Sequence, residues 1–83
     1  MKIKVKVAKK EQHILEITTE NIKLDSALKL ASIVSTGGQA KMLIQDELIK
    51  VNGEICTVRG KKLHDGDSIE FERTVYTIKV KKD

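Results

Sequence analysis

The chain opens with two segments whose apolar and polar residues follow a strand-like pattern. Residues 2–7 read Lys-Ile-Lys-Val-Lys-Val, and residues 13–18 form a run rich in isoleucine and leucine. A period of two places alternate side chains on opposite faces, so the first segment predicts a strand with one buried and one wet face. The second segment is β-prone, and Glu20 and Asn21 break its pattern.

The next segment changes to a helical period. Leu24, Leu28 and Ala31 recur at the i, i+4, i+7 spacing, with Ala27 and Leu30 beside them. This spacing predicts one apolar face of a helix of about three turns. Asp25 falls in the first turn, where a carboxylate suits the positive end of the helix dipole.

A glycine pair separates this helix from a second one. Ser35 or Thr36 can cap the second helix, and Gly37-Gly38 gives the chain a sharp entry with open backbone amides. Without its context the pair would indicate only a turn between helices. We expect the two helices to pack together through their apolar residues, which are Leu24, Leu28, Ala31, Ala40, Leu43 and Ile44.

The second half of the chain has the pattern of short strands and turns. Asn52-Gly53 stands between β-prone runs at 48–51 and 54–58, and this dipeptide favours a type I′ hairpin turn. A basic loop, a second turn and two last strands are predicted at 59–62, 63–67, 68–72 and 75–81. The fold class predicted is α+β, with two packed, helix-turn-helix-like helices on a small, mostly antiparallel sheet.

The length of the chain limits what else it can contain. Its 83 residues predict a single domain over 1–83, without room for a catalytic domain beside a binding domain. The one cysteine, Cys56, cannot form an internal disulfide and is typical of a reducing compartment. No apolar run approaches the ~18 residues of a membrane span. We therefore expect a cytoplasmic protein with no membrane partner.

The charge of the chain indicates the kind of partner. The formal net charge is +4, and the basic residues cluster while the acidic ones are spread out. Clustered bases on a small domain fit a polyanion such as a nucleic acid. Lysines at 2–6 can instead serve to guard an edge strand against aggregation. The chain has only one phenylalanine and one tyrosine, which argues against a platform that stacks several bases.

Four short segments, in order along the chain, resemble a known family. They are Lys23-Leu24-Asp25, residues 40–44, Ile49-Lys50-Val51-Asn52-Gly53 and Gly66-Asp67-Ser68-Ile69. They resemble the alpha-L RNA-binding motif, which is named after small-subunit ribosomal protein S-four. The resemblance covers about residues 22–71 as an RNA-binding core, with terminal strands at 2–7 and 75–81 beside it. Residues 36–41 and 59–63 are similar to the small stand-alone, YaaA-type members of the family.

The resemblance implies a non-enzymatic RNA-binding protein that acts in ribosome assembly or maintenance. Its implied partner is structured ribosomal RNA or a ribosomal subunit, with no cofactor and no small-molecule substrate. The chain departs from the family pattern at three places. It has Lys23 where the family has arginine, Thr36-Gly37 where the family has Ser-Arg, and Glu47 where a glycine usually ends the second helix. Lysine keeps the positive charge but loses the bidentate fork for phosphate.

The predicted RNA surface centres on the start of the second helix. A helix N-terminus offers free amides and partial positive charge to a phosphate, and nearby lysines would add full charges. The candidate residues are Lys23, Lys29, Thr36, Gly37, Gly38, Gln39, Lys41, Arg59, Lys61 and Lys62. A rival surface would combine the lysines of 2–6 with those near the C-terminus, namely Lys79, Lys81 and Lys82.

Part of the chain is also compatible with a function other than RNA binding. The segments 51–54 and 63–70 are also similar to small sulfur carriers of ubiquitin-like build, but those end in Gly-Gly and this chain ends in Lys-Lys-Asp. A protein-interaction module of that build, without carrier chemistry, remains the alternative. His13, His64 and Cys56 share no recognised ligand spacing, so no metal site and no Cys-His nucleophile are predicted.

Overall fold

The computed structural model describes residues 10–81, within which lie two helices and seven strands. In chain order these are β1 (Glu11–Ile17), β2 (Asn21–Lys23), α1 (Leu24–Leu30), α2 (Gly37–Gln45), β3 (Lys50–Val51), β4 (Glu54–Ile55), β5 (Lys62–His64), β6 (Ser68–Phe71) and β7 (Thr74–Val80). The strand predicted at 2–7 lies outside the described residues, and the single-domain assignment stays a prediction. No helix within 10–81 has the length and apolar character needed to cross a membrane.

Five of the strands form one sheet in the order β1-β7-β6-β3-β4. Its β1–β7 pair is parallel, and the other pairs are antiparallel. The remaining strands, β2 and β5, form a separate antiparallel ribbon beside α1. The predicted α+β class, with two packed helices on a mostly antiparallel sheet, is therefore confirmed.

The two helices pack on the sheet through the predicted apolar face. Leu24, Leu28, Ala40 and Ile44 are completely buried, whereas Ala31 and Leu43 are half-buried against the same cluster. The sheet contributes apolar side chains from its inner face, and the ribbon adds Leu63. Leu30, which the spacing placed beside this face, is 49% exposed.

Each helix ends in the same backbone motif. After α1 the N–H of Ser32 donates to Lys29 O at 3.0 Å, and that of Ile33 donates to Leu28 O at 3.0 Å. After α2 the N–H groups of Glu47 and Leu48 donate to Ile44 O and Leu43 O, each at 3.1 Å. These paired bonds define Schellman motifs, in which the residue just past the helix adopts a left-handed conformation.

The Schellman motifs explain why the helices are short. Ser32 has φ 62° and Glu47 has φ 61°, so each turns the chain out of its helix. As a result α1 has seven residues, about two turns, and the prediction of about three turns is wrong. An apolar period alone does not reveal this stop, because neither residue is the glycine that normally marks it.

The ribbon corrects the predictions for 59–67. Residues 59–62 were expected to form a loop and 63–67 a turn, yet Lys62–His64 is strand β5. It pairs with Asn21–Lys23, in a segment where we expected only a break in the pattern. Each strand has three residues, which is too short for a period of two to be recognised. Likewise β4 covers only Glu54–Ile55, and not all of 54–58.

The Asn52-Gly53 turn has the predicted conformation. Asn52 has φ 52° and Gly53 has φ 87°, and positive φ at both central residues is the mark of a type I′ turn. Asn52 also binds the next hairpin, because its Oδ1 accepts from Ser68 N at 2.9 Å and its Nδ2 donates to Asp67 Oδ1 at 3.1 Å. The turn therefore joins two hairpins as well as reversing the chain.

Candidate functional site

The basic loop lies directly on the first turn of α1. Leu24 N donates to Lys61 O at 2.8 Å, and Asp25 N donates to Arg59 O at 3.2 Å. Lys23, the residue at the N-cap position, has an extended backbone and makes no side-chain cap bond. The loop carbonyls thus cap α1 in place of a side chain, and they bring three predicted cations of the loop next to Lys23.

Within this cluster two lysines stand directly opposite each other. Lys23 and Lys62 are register partners in the antiparallel ribbon, so their side chains point to the same face. Both are exposed, and no described acidic side chain forms an ion pair with either one. Like charges at such a position repel and destabilise the pairing.

The lysines of the main sheet have the opposite arrangement. Lys50 is the register partner of Glu70, and Lys79 is the register partner of Glu16. Those lysines therefore have acidic residues as register partners, and Glu70 itself forms an ion pair with Lys10 at 3.1 Å. The ribbon departs from this rule, because Lys23 and Lys62 face each other and neither forms an ion pair with a described acidic residue.

Arg59 is partly occupied by a contact within the protein. Its Nε lies 3.8 Å from Asp25 Oδ2, and the Arg59 side chain is 52% exposed. Asp25 Oδ1 is buried and accepts no hydrogen bond from the described chain. The guanidinium is thus held over the start of α1, with half of its surface open to a partner.

At the start of α2, two predicted site residues form a helix cap. Thr36 Oγ1 accepts from Gln39 N at 3.2 Å, and Gln39 Oε1 accepts from Thr36 N at 3.3 Å and from Ser35 N at 2.7 Å. This is a capping box, and such caps contribute about 1 kcal/mol to stability. The oxygens of Thr36 and Gln39 are therefore used to build the helix end.

No neighbouring atom within the described fold requires glycine at the two positions that begin this helix. A Cβ added to Gly37 would meet nothing within 4 Å, and one added to Gly38 would meet only Thr36 Oγ1 at 3.9 Å. Neither glycine has a positive φ. Glycine inside a helix costs about 1 kcal/mol relative to alanine. The pair leaves the two amides at the helix start uncovered by side chains.

The remaining predicted cations are Lys29 and Lys41, and both are exposed. Lys29 is in the last turn of α1, where a positive charge also suits the helix dipole. Lys41 lies in α2, one turn after Gly37. The predicted site residues thus form two groups, one at the start of α1 and the other at the start of α2, and Lys29 lies in the last turn of α1.

The histidines and the cysteine have structural surroundings. His13 stacks on Tyr76 with the ring centroids 5.4 Å apart, and His64 Nδ1 lies 3.7 Å from Asp67 Oδ2. Cys56 is half-buried against the core, where it acts as a small packing residue. Within 10–81, no three or more His, Cys, Asp or Glu side chains form a group that could hold a metal ion.

Sequence reasoning missed one feature next to the site. An apolar groove runs between α2, residues 33–34 and Phe71 at the end of β6. Its lining comes from three separate segments, so no local pattern could have revealed it. A wider groove of about 590 Å³ lies at Glu20, His64, Asp65, Lys79 and Val80. That lining contains two carboxylates, which makes it a poor site for a phosphate.

These features define a small α+β module in which a basic loop caps the first of two packed helices and a cationic ribbon lies beside it. Residues 15–79 match the model of the S4 domain, and the chain belongs to the S4 domain family. The resemblance expected from the four segments is thereby confirmed. Over 58 residues the chain is 41% identical to a probable ribosome maturation protein, RlbA, of Bacillus subtilis (strain 168). That match covers 70% of this chain and 82% of the relative.

Proposed function

We propose that this protein is a non-enzymatic RNA-binding protein of the cytoplasm that binds structured ribosomal RNA during ribosome assembly or maintenance. Membership of the S4 domain family supports an RNA partner. The ribosomal setting is supported by the similarity to a relative named as a probable ribosome maturation protein. On this proposal the partner is ribosomal RNA or a ribosomal subunit, and neither a membrane nor a small-molecule substrate takes part.

The observation that carries the proposal is the Lys23–Lys62 pair. The two lysines are exposed register partners with no acidic neighbour in an ion pair, although such an arrangement destabilises a ribbon. An RNA phosphate placed between them would remove the repulsion and gain two charge-assisted contacts. Arg59, Lys61 and the start of α1 border the same position.

The second group of cations would extend this contact. Lys41 and the open amides of Gly37 and Gly38 lie at the start of α2, which packs against α1. We expect one stretch of RNA backbone to touch both groups. Phosphate contacts of this kind fix position and register, whereas they carry no base sequence. The proposed binding is therefore directed mainly at RNA shape.

A double substitution with a matched control tests this function. Lys23→Gln with Lys62→Gln removes two charges from the ribbon, and Lys50→Gln with Lys79→Gln removes two exposed charges from the main sheet. Affinity for purified ribosomal subunits would be measured by co-sedimentation, and affinity for fragments of their RNA by filter binding. The ribbon variant should lose about 5- to 100-fold in affinity, from ~0.5–1.5 kcal/mol per lost contact. The control should change it at most a few-fold.

Chemical unfolding of the same variants separates function from stability. Removal of the like-charge pair should leave the ribbon variant equally stable or more stable, by about 0.2–1 kcal/mol. The sheet control loses two lysines that face glutamates and should be slightly less stable. Equal RNA affinity of the ribbon variant and the wild type would contradict the proposal.

A further inference from the structure

The groove beside α2 has the size and chemistry of a small binding pocket. It measures about 360 Å³ and is lined by Ile33, Val34, Gln39, Met42, Leu43 and Phe71. Pockets for small organic groups range over roughly 300–1,000 Å³, so this one suits a single flat group. Met42 stands at its rim with 64% of its surface exposed. The lining contains no charged side chain.

One polar side chain in this lining has a donor to spare. Gln39 Oε1 accepts from the backbone N–H groups of Ser35 and Thr36, which identifies that atom as the carbonyl oxygen. The amide nitrogen Nε2 takes no part in the cap. Gln39 therefore offers a hydrogen-bond donor in an otherwise apolar groove, a combination that can orient a bound group.

The groove also adjoins the cationic end of α2. Lys41 and Met42 follow Gly38 by three and four residues, so each of them is a neighbour of Gly38 on the helix surface. A phosphate held by Lys41 and the Gly38 amide would therefore lie close to Met42, at the rim of the groove. A ligand that carries a negative phosphate next to a flat, largely apolar body matches both features.

From this arrangement we propose that the groove receives one unpaired base of the bound RNA. The inference rests on the function proposed above. Phe71 and Met42 would contact the base, and Gln39 Nε2 would donate to an acceptor on its edge. RNA-binding proteins commonly recognise bases that are splayed out of a loop or bulge, and the single ring of Phe71 supplies one stacking position. Specificity for an unpaired base would then add to the shape recognition of the cationic residues.

The test compares two RNA hairpins of equal charge. One carries a single bulged adenosine, and the other has an abasic ribose at the same position. The wild-type protein should bind the first about tenfold more tightly than the second, since a stacked base contributes ~1–3 kcal/mol and 1.4 kcal/mol is a tenfold change. The ratio of the two affinities is the readout, because any effect on phosphate contacts cancels in it.

Two variants should reduce this ratio to about two- or threefold, without changing the fold. Met42→Ala removes an exposed apolar side chain, and Gln39→Glu replaces the donor while a glutamate at this position still completes the capping box. Ile14→Ala, which removes a 58%-exposed side chain of β1, is the control for the first. Gln45→Glu adds the same charge elsewhere on α2 and is the control for the second. Both controls should keep the tenfold ratio.

The outcomes distinguish the inference from the function on which it rests. Equal affinity of the wild type for both hairpins, with strong salt dependence, would overturn the base-binding groove and leave RNA binding intact. A ratio that neither groove variant lowers would also overturn it, because the unpaired base would then be bound outside the groove. Failure to bind either hairpin or any ribosomal RNA would overturn both proposals.

Discussion

At the scale of single residues, Asp67 joins two hairpins through its carboxylate. Its Oδ2 accepts from the N–H of His64 at 2.7 Å, and its Oδ1 accepts from Asn52 Nδ2 at 3.1 Å. The pKa of Asp67 lies below its ordinary value, chiefly because of the His64 backbone donor. Partial burial opposes the shift, while the Asn52 amide and the charges of His64 and Lys61 add to it.

This lowered pKa predicts how stability depends on pH. Because folding favours the charged carboxylate, its contribution is fully present above the unfolded pKa of about 3.9 and is lost as the pH falls through the lower folded pKa. We expect Asp67→Asn to flatten the acid side of the stability profile below about pH 5. Urea unfolding between neutral and acid pH measures the free energy of unfolding of each variant. Glu54→Gln is the control for the loss of one charge. An Asn variant with the wild-type acid slope would show that Asp67 does not contribute.

The residues beside Asp67 also form hydrogen bonds that hold this segment in place. Asp65 Oδ1 accepts from Val80 N at 2.7 Å, and Gly66 adopts φ 92° while its N–H donates to Ile78 O at 2.8 Å. Residues 65–67 thus bind β7, the strand that pairs in parallel with β1. In the Gly66-Asp67-Ser68-Ile69 segment that carried part of the family resemblance, these contacts give the polar residues a structural role.

At the scale of elements, the two helices are short because each one stops in a Schellman motif. Neither motif has a glycine at its left-handed position. Ser32 and Glu47 hold left-handed backbones, a conformation that costs an L-residue roughly 1–2 kcal/mol. An apolar residue follows each turn: Ile33 packs against the core, whereas Leu48 is 50% exposed. Ile33 and Leu48 come next in the chain, where the motif usually places an apolar contact with the helix.

The strain at the end of α2 can be tested with one substitution. Glu47→Gly should stabilise the protein by about 0.5–1 kcal/mol, because glycine adopts φ 61° without a Cβ clash. For a domain of this size that corresponds to a rise in Tm of roughly 2–8 °C. Glu47→Ala is the matched control, since it removes the charge but keeps the strain. If the alanine and glycine variants melt together, backbone strain at this position is negligible.

At the scale of the whole molecule, positive charge is distributed unevenly. Lysines of the main sheet face glutamates, whereas the ribbon and the start of α2 carry cations without such partners. The helices cover one face of the sheet, and both cationic groups lie on the helical side of the molecule through their contacts with α1 and α2. This asymmetry predicts where RNA binds.

Two triple substitutions compare this surface with the rival one. With about four to five phosphate contacts, log K against log salt should have a slope near −3 to −4. Lys41→Ala with Lys61→Ala and Lys62→Ala should flatten this slope by about one unit per lost contact and weaken binding by roughly one to three orders of magnitude. Lys2→Ala with Lys4→Ala and Lys6→Ala should change affinity several-fold at most.

Filter binding to ribosomal RNA over a range of salt concentrations measures both effects. Greater damage from the terminal triple would place the RNA surface at the termini, even with the fold unchanged. Binding that hardly responds to salt would favour the protein-interaction alternative, because counterion release would then contribute little.

The sequence by itself determined the parts of this protein that depend on local rules. The apolar spacing located the packed face of both helices, with Leu24, Leu28, Ala40 and Ile44 all fully buried. Asn52-Gly53 specified its turn because positive φ at both positions is costly for most other residues. The order of four short segments was enough to indicate the S4 domain family.

The tertiary structure alone decided which distant residues meet. Three-residue strands have no readable period, so only the folded chain pairs β2 with β5 and sets Lys23 opposite Lys62. The groove beside α2 combines side chains from three segments, and its existence follows from the way the helices lie on the sheet. In each case the deciding interaction joins residues that are far apart in the sequence, so a local pattern does not reveal it.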